Sequence, residues 1–293
     1  MATWDATDGR VGIRDPPREP LARPRRKRHQ VLAEPRRSVA LTANRHPVLL
    51  LHGQPGSSRD WDRVVSEIGP RTKTLAVARP GWAPGTVAVD LEGNAAAALV
   101  ALDQAEMARA VVVGHSLGGA VAAWLASAAP DRVAGLVLVA PAADTHSITA
   151  LDRLLAAPVL GDVLSAALLG AAGGAAAAGP VRRVIGSRLG IDPRYLRSSA
   201  ALLRRPNAWR SFVAEQRTLI RDLPALERRL AEIVAPTTVV VGTADHVVPI
   251  ASARAVADRI RGAALIELAG AHHLLAQQRP AELAELIVAA AGL

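Results

Sequence analysis

Short, almost wholly apolar runs alternate with segments of helical pattern along most of the chain, and this alternation restricts the fold more than any other feature of the sequence. Strands buried on both faces are apolar throughout, and alternating strand–helix units place them side by side in a parallel sheet. Six runs are predicted to be strands: 46–53, 74–78, 110–114, 135–140, 237–242 and 263–268. Helices are predicted at 60–68, 91–107, 117–129, 250–260 and 281–291. We therefore expect an α/β fold with a mostly parallel, doubly wound sheet.

One connection departs from this alternation. Between Pro141 and Pro236 the sequence has helical pattern rich in Ala and Leu but no convincing strand. A connection of roughly 90 residues is far longer than an ordinary loop and needs structure of its own. We expect residues 142–235 to form a helical cap over the carboxyl edge of the sheet, with 38–141 and 236–293 as the core. Residues 38–43 are a candidate edge strand.

Inside the expected cap, residues 163–180 form an uncharged run whose length approaches that of a membrane span. Most of the run is Ala and Gly, which gain little free energy from lipid, and Gly173 and Gly174 interrupt it. The composition therefore favours soluble helices, and we expect no stable membrane insertion.

The net charge of +9 is concentrated near the start of the chain. Residues 1–38 hold ten basic and five acidic side chains, and they include the Pro- and Arg-rich stretch "ARPRRKRHQ". No aromatic residue interleaves this basic stretch, so base stacking is not indicated and we expect no nucleic-acid partner. Residues 1–37 are predicted to be a disordered extension. The chain has no cysteine, and its first thirty residues lack the apolar run of a signal peptide, which favours a cytoplasmic protein.

The segment "AVVVGHSLGGAVAAWLA" carries the strongest chemical signal. A predicted strand runs into Gly114-His115-Ser116-Leu117-Gly118, and a helix follows at once. A tight strand-to-helix turn of this G-x-S-x-G form presents the serine hydroxyl above the sheet, and the flanking glycines remove side chains that would clash. The amino terminus of the helix also favours negative charge at that point. Ser116 is therefore the candidate nucleophile.

The segment "LLLHGQPGSSRDW" places a sharp turn after another predicted strand. With the serine turn, this segment resembles the α/β-hydrolase family over about residues 38–293. The resemblance implies an oxyanion hole made by the backbone N–H groups of Gln54 and Leu117. The stretch "ARPGWAPG" is similar to the family's D-x-P-G-x-G turn, except that Ala78-Arg79 stands where the family has Asp.

A serine nucleophile needs an oriented base, and the family supplies an acid and a histidine in that chain order. Family members carry G-x-x-D-x-x-V/I-P after a late strand, and Gly242, Asp245, Val248 and Pro249 match this pattern. The resemblance thus implies Asp245 as the acid of the triad. Asp144, which follows the strand predicted at 135–140, is the alternative acid.

Two adjacent histidines, in "AGAHHLLAQQRP", lie in the loop where the family keeps its base. Relatives have the base seven residues before a proline that begins the last helix. His273 has that spacing to Pro280, whereas His272 is one residue further away. His273 is therefore favoured as the base, and His272 stays open as the alternative.

The remaining candidates concern the substrate. His115 neighbours the nucleophile, while Trp209 and Phe212 lie in the expected cap, which is otherwise rich in Ala, Leu and Val. These three are candidate substrate-binding residues, and the cap composition indicates an apolar acyl or alcohol portion. No H-E-x-x-H or similar ligand spacing is present, so we expect no metal and no cofactor.

These residues together predict a serine hydrolase that cleaves an ester, or a related acyl bond, of a small and largely apolar molecule through an acyl-enzyme. C–C bond hydrolases, lactonases, perhydrolase-type haloperoxidases and acyltransferases of the family use the same triad, and these alternatives stay open. A catalytically silent ligand-binding module is the alternative of another class, and the complete triad disfavours it. The sequence does not indicate the oligomeric state.

Overall fold

The computed structural model describes residues 45–292, so the predicted extension at 1–37 and the candidate edge strand at 38–43 lie outside the described residues. The strands within the described part are β1 Val48–Leu51, β2 Thr74–Val77, β3 Ala110–His115, β4 Val133–Val139, β5 Thr237–Gly242 and β6 Ala264–Leu268. The helices are α1 Asp62–Ile68, α2 Leu91–Gln104, α3 Leu117–Ala128, α4 Ala150–Ala156, α5 Leu160–Ala177, α6 Gly179–Leu189, α7 Pro193–Leu203, α8 Ala208–Arg229, α9 Ile250–Arg259, α10 Leu275–Gln278 and α11 Pro280–Ala291.

The six strands form one parallel sheet in the order β2-β1-β3-β4-β5-β6. The chain runs outward from β1 to β2 and then returns to add β3 on the other side of β1. This reversal makes the carboxyl ends of β1 and β3 a topological switch point, where open α/β sheets form a crevice. The predicted parallel α/β architecture is confirmed.

Helices cover both faces of the sheet, as the doubly wound prediction requires. On one face α2, α3 and α9 pack in a large apolar cluster with the carboxyl half of α8, through Leu219, Leu223 and Leu226. On the other face α1, α10 and α11 pack around Trp61, Ile68 and other aliphatic side chains. β3 and β4 are buried along their whole length, which explains why their sequences are continuous apolar runs.

The connection between β4 and β5 (residues 141–236, the insert) contains α4 to α8. Its outer helices share a small apolar cluster that includes Leu155, Leu169 and Phe212 and reaches Trp82 of the core. The long helix α8 belongs to both regions, because its first half lies in this cluster and its second half packs on the sheet. α8 is therefore the element that joins the insert to the core.

The uncharged run at 163–180 forms most of α5 and the start of α6. α5 is long and apolar enough to cross a membrane by length and composition, and 28% of that window is buried. One such helix is weak support for a span, because helices of soluble proteins pass the same test. The expectation of no stable membrane insertion stays a prediction.

Element boundaries differ from the sequence expectations where side chains compete for the backbone. The helix expected at 60–68 begins at Asp62, after a 3-10 turn over Ser58–Trp61 in which Ser57 and Asp60 form a reciprocal capping box. The one-turn helix α10 was not expected. Short terminal turns of this kind depend on local caps and carry little periodicity of their own.

Candidate active site

Ser116 stands in the tight turn between β3 and α3. Its backbone has φ 53° and ψ −120°, which is strained for a residue with a side chain. Hydrogen bonds hold the turn in place: Ser116 N–H donates to the Val139 carbonyl at 2.9 Å, and the Ser116 carbonyl accepts from Gly119 N–H at 2.8 Å and Ala142 N–H at 3.1 Å. Ser116 is 7% exposed. A strained strand-to-helix turn held by such bonds (the elbow) has the geometry that a nucleophile elbow requires, and the role of Ser116 stays a prediction.

Two glycines of the elbow allow neighbouring backbone to approach. A Cβ at Gly118 would lie 2.4 Å from the carbonyl oxygens of both Leu51 and His52, and a Cβ at Gly114 would lie 2.1 Å from the Gly118 carbonyl. Both distances are far below van der Waals contact. A larger residue at Gly118 would therefore push the end of β1 away from the elbow, and one at Gly114 would push α3 away from β3.

The loop after β1 (residues 52–56, the β1 loop) lies directly against this elbow. A Cβ built on Gly53 would be 3.1 Å from the Cβ of Ser116. Leu117 is the first residue of α3, and a backbone N–H at that position has no acceptor within its own helix. Gln54 and Leu117, the residues from which the sequence predicts an oxyanion hole, thus flank the serine on two different segments. That role stays a prediction.

Asp245 and His273 come together from the ends of β5 and β6. His273 Nδ1 is 2.8 Å from Asp245 Oδ2, while Asp245 Oδ1 accepts from the N–H groups of Val247 at 2.8 Å and Val248 at 3.0 Å. Burial acts to raise the pKa of Asp245, but the bond with His273, its charge and the two backbone donors outweigh burial and lower the pKa. An ionised Asp245 therefore orients His273 with a proton on Nδ1, which leaves Nε2 as the second ring nitrogen.

The loop that carries the histidines (residues 269–274, the β6 loop) is tied to the elbow by His115. His115 Nε2 donates to the His273 carbonyl at 2.9 Å, and the two rings are 4.8 Å apart between centroids. Burial, followed by the charge of His273, lowers the pKa of His115 to about 3, so this donor is neutral at physiological pH. His115 immediately precedes Ser116, so the bond ties the loop of the base candidate to the turn that carries Ser116. A contact of His115 with substrate stays a prediction.

The two adjacent histidines point to different partners. His272 Nδ1 lies 2.9 Å from the carbonyl of Ala244, and its backbone N–H donates to Gln278 Oε1 at 2.8 Å. His273, in contrast, faces the carboxylate of Asp245. The geometry favours His273 as the base, because it alone of the two bonds to the acid candidate.

Asp144, the alternative acid, is engaged elsewhere. Its Oδ1 accepts from Ser252 Oγ and from the N–H of Ser147, and its Oδ2 lies 2.9 Å from His146 Nδ1. These bonds cap the 3-10 turn over Thr145–Ser147 and tie it to α9. The contacts of Asp144 thus account for its burial, and they favour Asp245 as the acid.

The candidate substrate residues of the insert pack within it. Phe212 is buried in the insert's apolar cluster with Trp82, and Trp209 borders that cluster with the guanidinium of Arg210 over its ring. Their predicted contact with substrate remains a prediction. Among residues 45–292, His, Asp and Glu form no group of three or more that could hold a metal ion.

Sequence reasoning missed a buried ion pair behind the β1 loop. Arg79 and Glu215 join with side chains that are 2% and 0% exposed. A signal for it was present in α8, where Glu215 lies on the same face as Phe212, Leu219 and Leu223 at helical spacing. A charge on an apolar face needs a buried partner. The partner could not be identified because it is 136 residues away in the chain.

Comparisons with known proteins bear on the family and the fold of the chain. A family model described as "Alpha/beta hydrolase family" matches residues 48–286. The chain is 35% identical over 119 residues to Lipase LipV of Mycobacterium tuberculosis, a match that covers 38% of this chain and 44% of the lipase. The chain therefore spans less than half of that relative's length.

Solved structures share the fold. A meta-cleavage product hydrolase from Pseudomonas fluorescens IP01 superimposes with a TM-score of 0.65 at 20% identity, covering 84% of this chain and 90% of that protein. An enzyme described as degrading N-acyl homoserine lactones gives a TM-score of 0.65 at 22% identity, covering 83% and 92%. Identities this low bear on the fold alone.

Proposed function

Because the chain belongs to the alpha/beta hydrolase family, we propose that it is a serine hydrolase that cleaves an ester, with Ser116 as nucleophile, His273 as base and Asp245 as the orienting acid. The observation that carries the proposal is the 2.8 Å bond between His273 Nδ1 and Asp245 Oδ2, at the sheet edge where Ser116 occupies its elbow. The similarity to a lipase supports an ester as the substrate.

The mechanism follows from these positions. His273 Nε2 takes the proton of the Ser116 hydroxyl as its oxygen attacks the ester carbonyl, and Asp245 stabilises the imidazolium that forms. The backbone N–H groups of Gln54 and Leu117 receive the negative charge of the tetrahedral intermediate. His273 then protonates the leaving alcohol, which gives an acyl-enzyme. Water, deprotonated by His273, attacks this ester, and the acid is released with Ser116 restored.

The apolar composition of the insert supports a small, largely apolar substrate. Cleavage of a lactone or of a C–C bond by the same residues is the second candidate, since a meta-cleavage product hydrolase and an enzyme that degrades N-acyl homoserine lactones share the fold. Fold does not choose between these reactions, because they differ in the bond placed over the same nucleophile.

The test combines covalent labelling with turnover. A fluorophosphonate probe should label the parent protein at Ser116, and p-nitrophenyl esters of increasing acyl length should be hydrolysed. Ser116→Ala should abolish labelling and lower kcat by about 10³-fold or more. Ser127→Ala, on the same helix with its hydroxyl bonded to the Trp124 carbonyl, is the matched control and should behave like the parent.

Two outcomes would contradict the proposal. An unlabelled parent would indicate a silent binding module, and near-parental turnover in Ser116→Ala would exclude Ser116 as nucleophile. N-acyl lactones and vinylogous diketones belong in the same panel. If kcat/KM for either of these classes is well above that for every ester, that class, and not an ester, is the substrate.

A further inference from the structure

The β1 loop is held from behind by Arg79, whose backbone and side chain bond to two successive residues. Arg79 Nε donates to the His52 carbonyl at 2.8 Å, and Nη2 donates to the Gly53 carbonyl at 2.9 Å. The backbone N–H of Arg79 donates to His52 Nε2 at 3.0 Å. Burial lowers the pKa of His52, so its ring is neutral, and Nδ1 donates to the Gly53 carbonyl at 2.7 Å.

These bonds have a direct consequence for Gln54. The Gly53 carbonyl and the Gln54 N–H belong to one peptide group, which is planar, and they point in opposite directions. Donors fixed on the Gly53 oxygen therefore set the direction of the Gln54 N–H. That N–H is the oxyanion donor of the proposed mechanism.

Glu215 of α8 fixes the guanidinium in turn. Its Oε1 accepts from Arg79 Nη1, and its Oε2 accepts from Arg79 Nη2 at 3.3 Å and from Trp82 Nε1 at 2.7 Å. Asn94 of α2 accepts from Arg79 Nη1 at 3.3 Å. A planar guanidinium held by a fork of this kind has little freedom to rotate.

The next residue of α8 makes a separate contact with the same loop. Gln54 Nε2 donates to Gln216 Oε1, and Gln216 Nε2 donates to Asp152 Oδ1 of α4 at 2.9 Å. Because Asp152 Oδ1 accepts from the NH₂ group of Gln216, it sets the orientation of the Gln216 amide. Adjacent residues of the insert therefore hold both the backbone and the side chain of the oxyanion-hole residue.

We propose that Arg79 and Glu215 are positioning residues for the oxyanion hole, so that helix α8 of the insert sets the rate of the chemical step as well as covering the site. The proposal rests on the proposed function, because it assigns these residues to the stabilisation of the same oxyanion. Stability alone is a weak reason for such a pair, since buried ion pairs are often replaced by apolar side chains without loss of stability.

The main experiment compares Arg79→Lys with Arg259→Lys. Arg259 bonds to Glu227 of the same helix α8, at a distance in sequence from the residues that hold the β1 loop. Both substitutions keep the positive charge and remove the planar guanidinium with its paired N–H donors. We expect Arg79→Lys to lower kcat by about 10- to 100-fold with KM within about threefold, since a misdirected donor costs less than a missing one. Arg259→Lys should keep both constants within about twofold.

A second readout separates positioning from folding. A trifluoromethyl ketone forms a tetrahedral adduct whose oxygen occupies the oxyanion hole, so its affinity reports that hole directly. Its affinity should fall in Arg79→Lys by the same factor as kcat/KM. A purely structural role would lower the melting temperature and leave that affinity unchanged.

Should Arg79→Lys fail to fold, the double variant Arg79→Met with Glu215→Leu carries the test, because it exchanges the ion pair for apolar side chains of similar size. We expect a folded protein with the same loss of kcat. A folded double variant with kcat within twofold of the parent would overturn the positioning role, and so would a parental kcat in Arg79→Lys. A parent that the fluorophosphonate does not label would overturn the proposed function itself.

Discussion

The two loops that flank Ser116 are held in place by different means. The β6 loop bonds to groups of the core: His273 to Asp245, 28 residues away, and to His115, 158 residues away. The β1 loop is held by the insert, through Gln54 to Gln216, 162 residues away, and through Arg79 to Glu215. The proposed base therefore depends on connections within the core, whereas the proposed oxyanion hole depends on a helix of the insert.

The largest expected effect lies in the β6 loop. His273→Ala should lower kcat by about 10³-fold or more, as a member of a triad that acts as a unit. His272→Ala should stay within about tenfold of the parent, because its ring bonds to the Ala244 carbonyl. The measurement is kcat on an activated ester from pH 5 to 9.

The acid limb of that profile, which reports protonation of the base, should survive in His272→Ala. The reverse ranking of the two variants would assign the base to His272 and contradict the orientation of both rings.

The second comparison is between the two candidate acids, Asp245 and Asp144. Asp245→Asn should lower kcat by about 10²- to 10⁴-fold, because an amide no longer favours the required His273 tautomer. Asp144→Asn is the matched control, since this carboxylate is also buried but bonds to Ser252 and Ser147. It should lower the melting temperature and leave kcat within about threefold. Equal losses of kcat in the two variants would remove the distinction between the two acids.

The smallest expected effect is the change of folding stability with pH, which has opposite signs for Asp60, beside the β1 loop, and for Asp245, beside the β6 loop. Burial raises the pKa of Asp60, beside the β1 loop, from 3.8 to about 7, whereas the pKa of Asp245 is lowered. Asp60 therefore contributes stability that is present below about pH 4 and lost as the pH rises through 7. The contribution of Asp245 is present at neutral pH and lost in acid.

Denaturant unfolding at pH 5 and pH 8 tests this difference. From pH 5 to pH 8, the free energy of unfolding of Asp60→Asn should rise relative to that of the parent by on the order of 1 kcal/mol, or about 2–4 °C in Tm. This figure is reduced for solvent screening, because the carboxyl is only half-buried. Glu67→Gln, which changes an exposed carboxylate on the neighbouring helix α1, is the control. A parent and an Asp60→Asn variant with the same pH dependence would show that Asp60 titrates normally.

What could be predicted from the sequence is what short stretches encode. Apolar runs indicate strands of a parallel sheet, and all six were found, although the edge strand β6 is not buried. The elbow around Ser116 and the spacing of Asp245 likewise lie in segments of a few residues. The spacing to Pro280 favours His273 over His272 as the base but does not decide between them, because the direction of a side chain in a loop depends on its partners. The helical spacing around Glu215 predicts that this residue is buried, but it does not predict that Arg79 is its partner. A contact between residues 136 positions apart leaves no pattern in either segment.

The contact between α8 and the β1 loop also decides where this chain can be recombined with its relatives. A chimaera that exchanges the whole insert would leave the Arg79 guanidinium buried without a counter-charge unless the donor brings a carboxylate to the position of Glu215. Crossover points that keep α8 and exchange only α4 to α7 preserve that pair, although they replace Asp152 beneath Gln216. A segment exchanged to alter specificity should therefore end before Ala208, and α8 should be kept with the core.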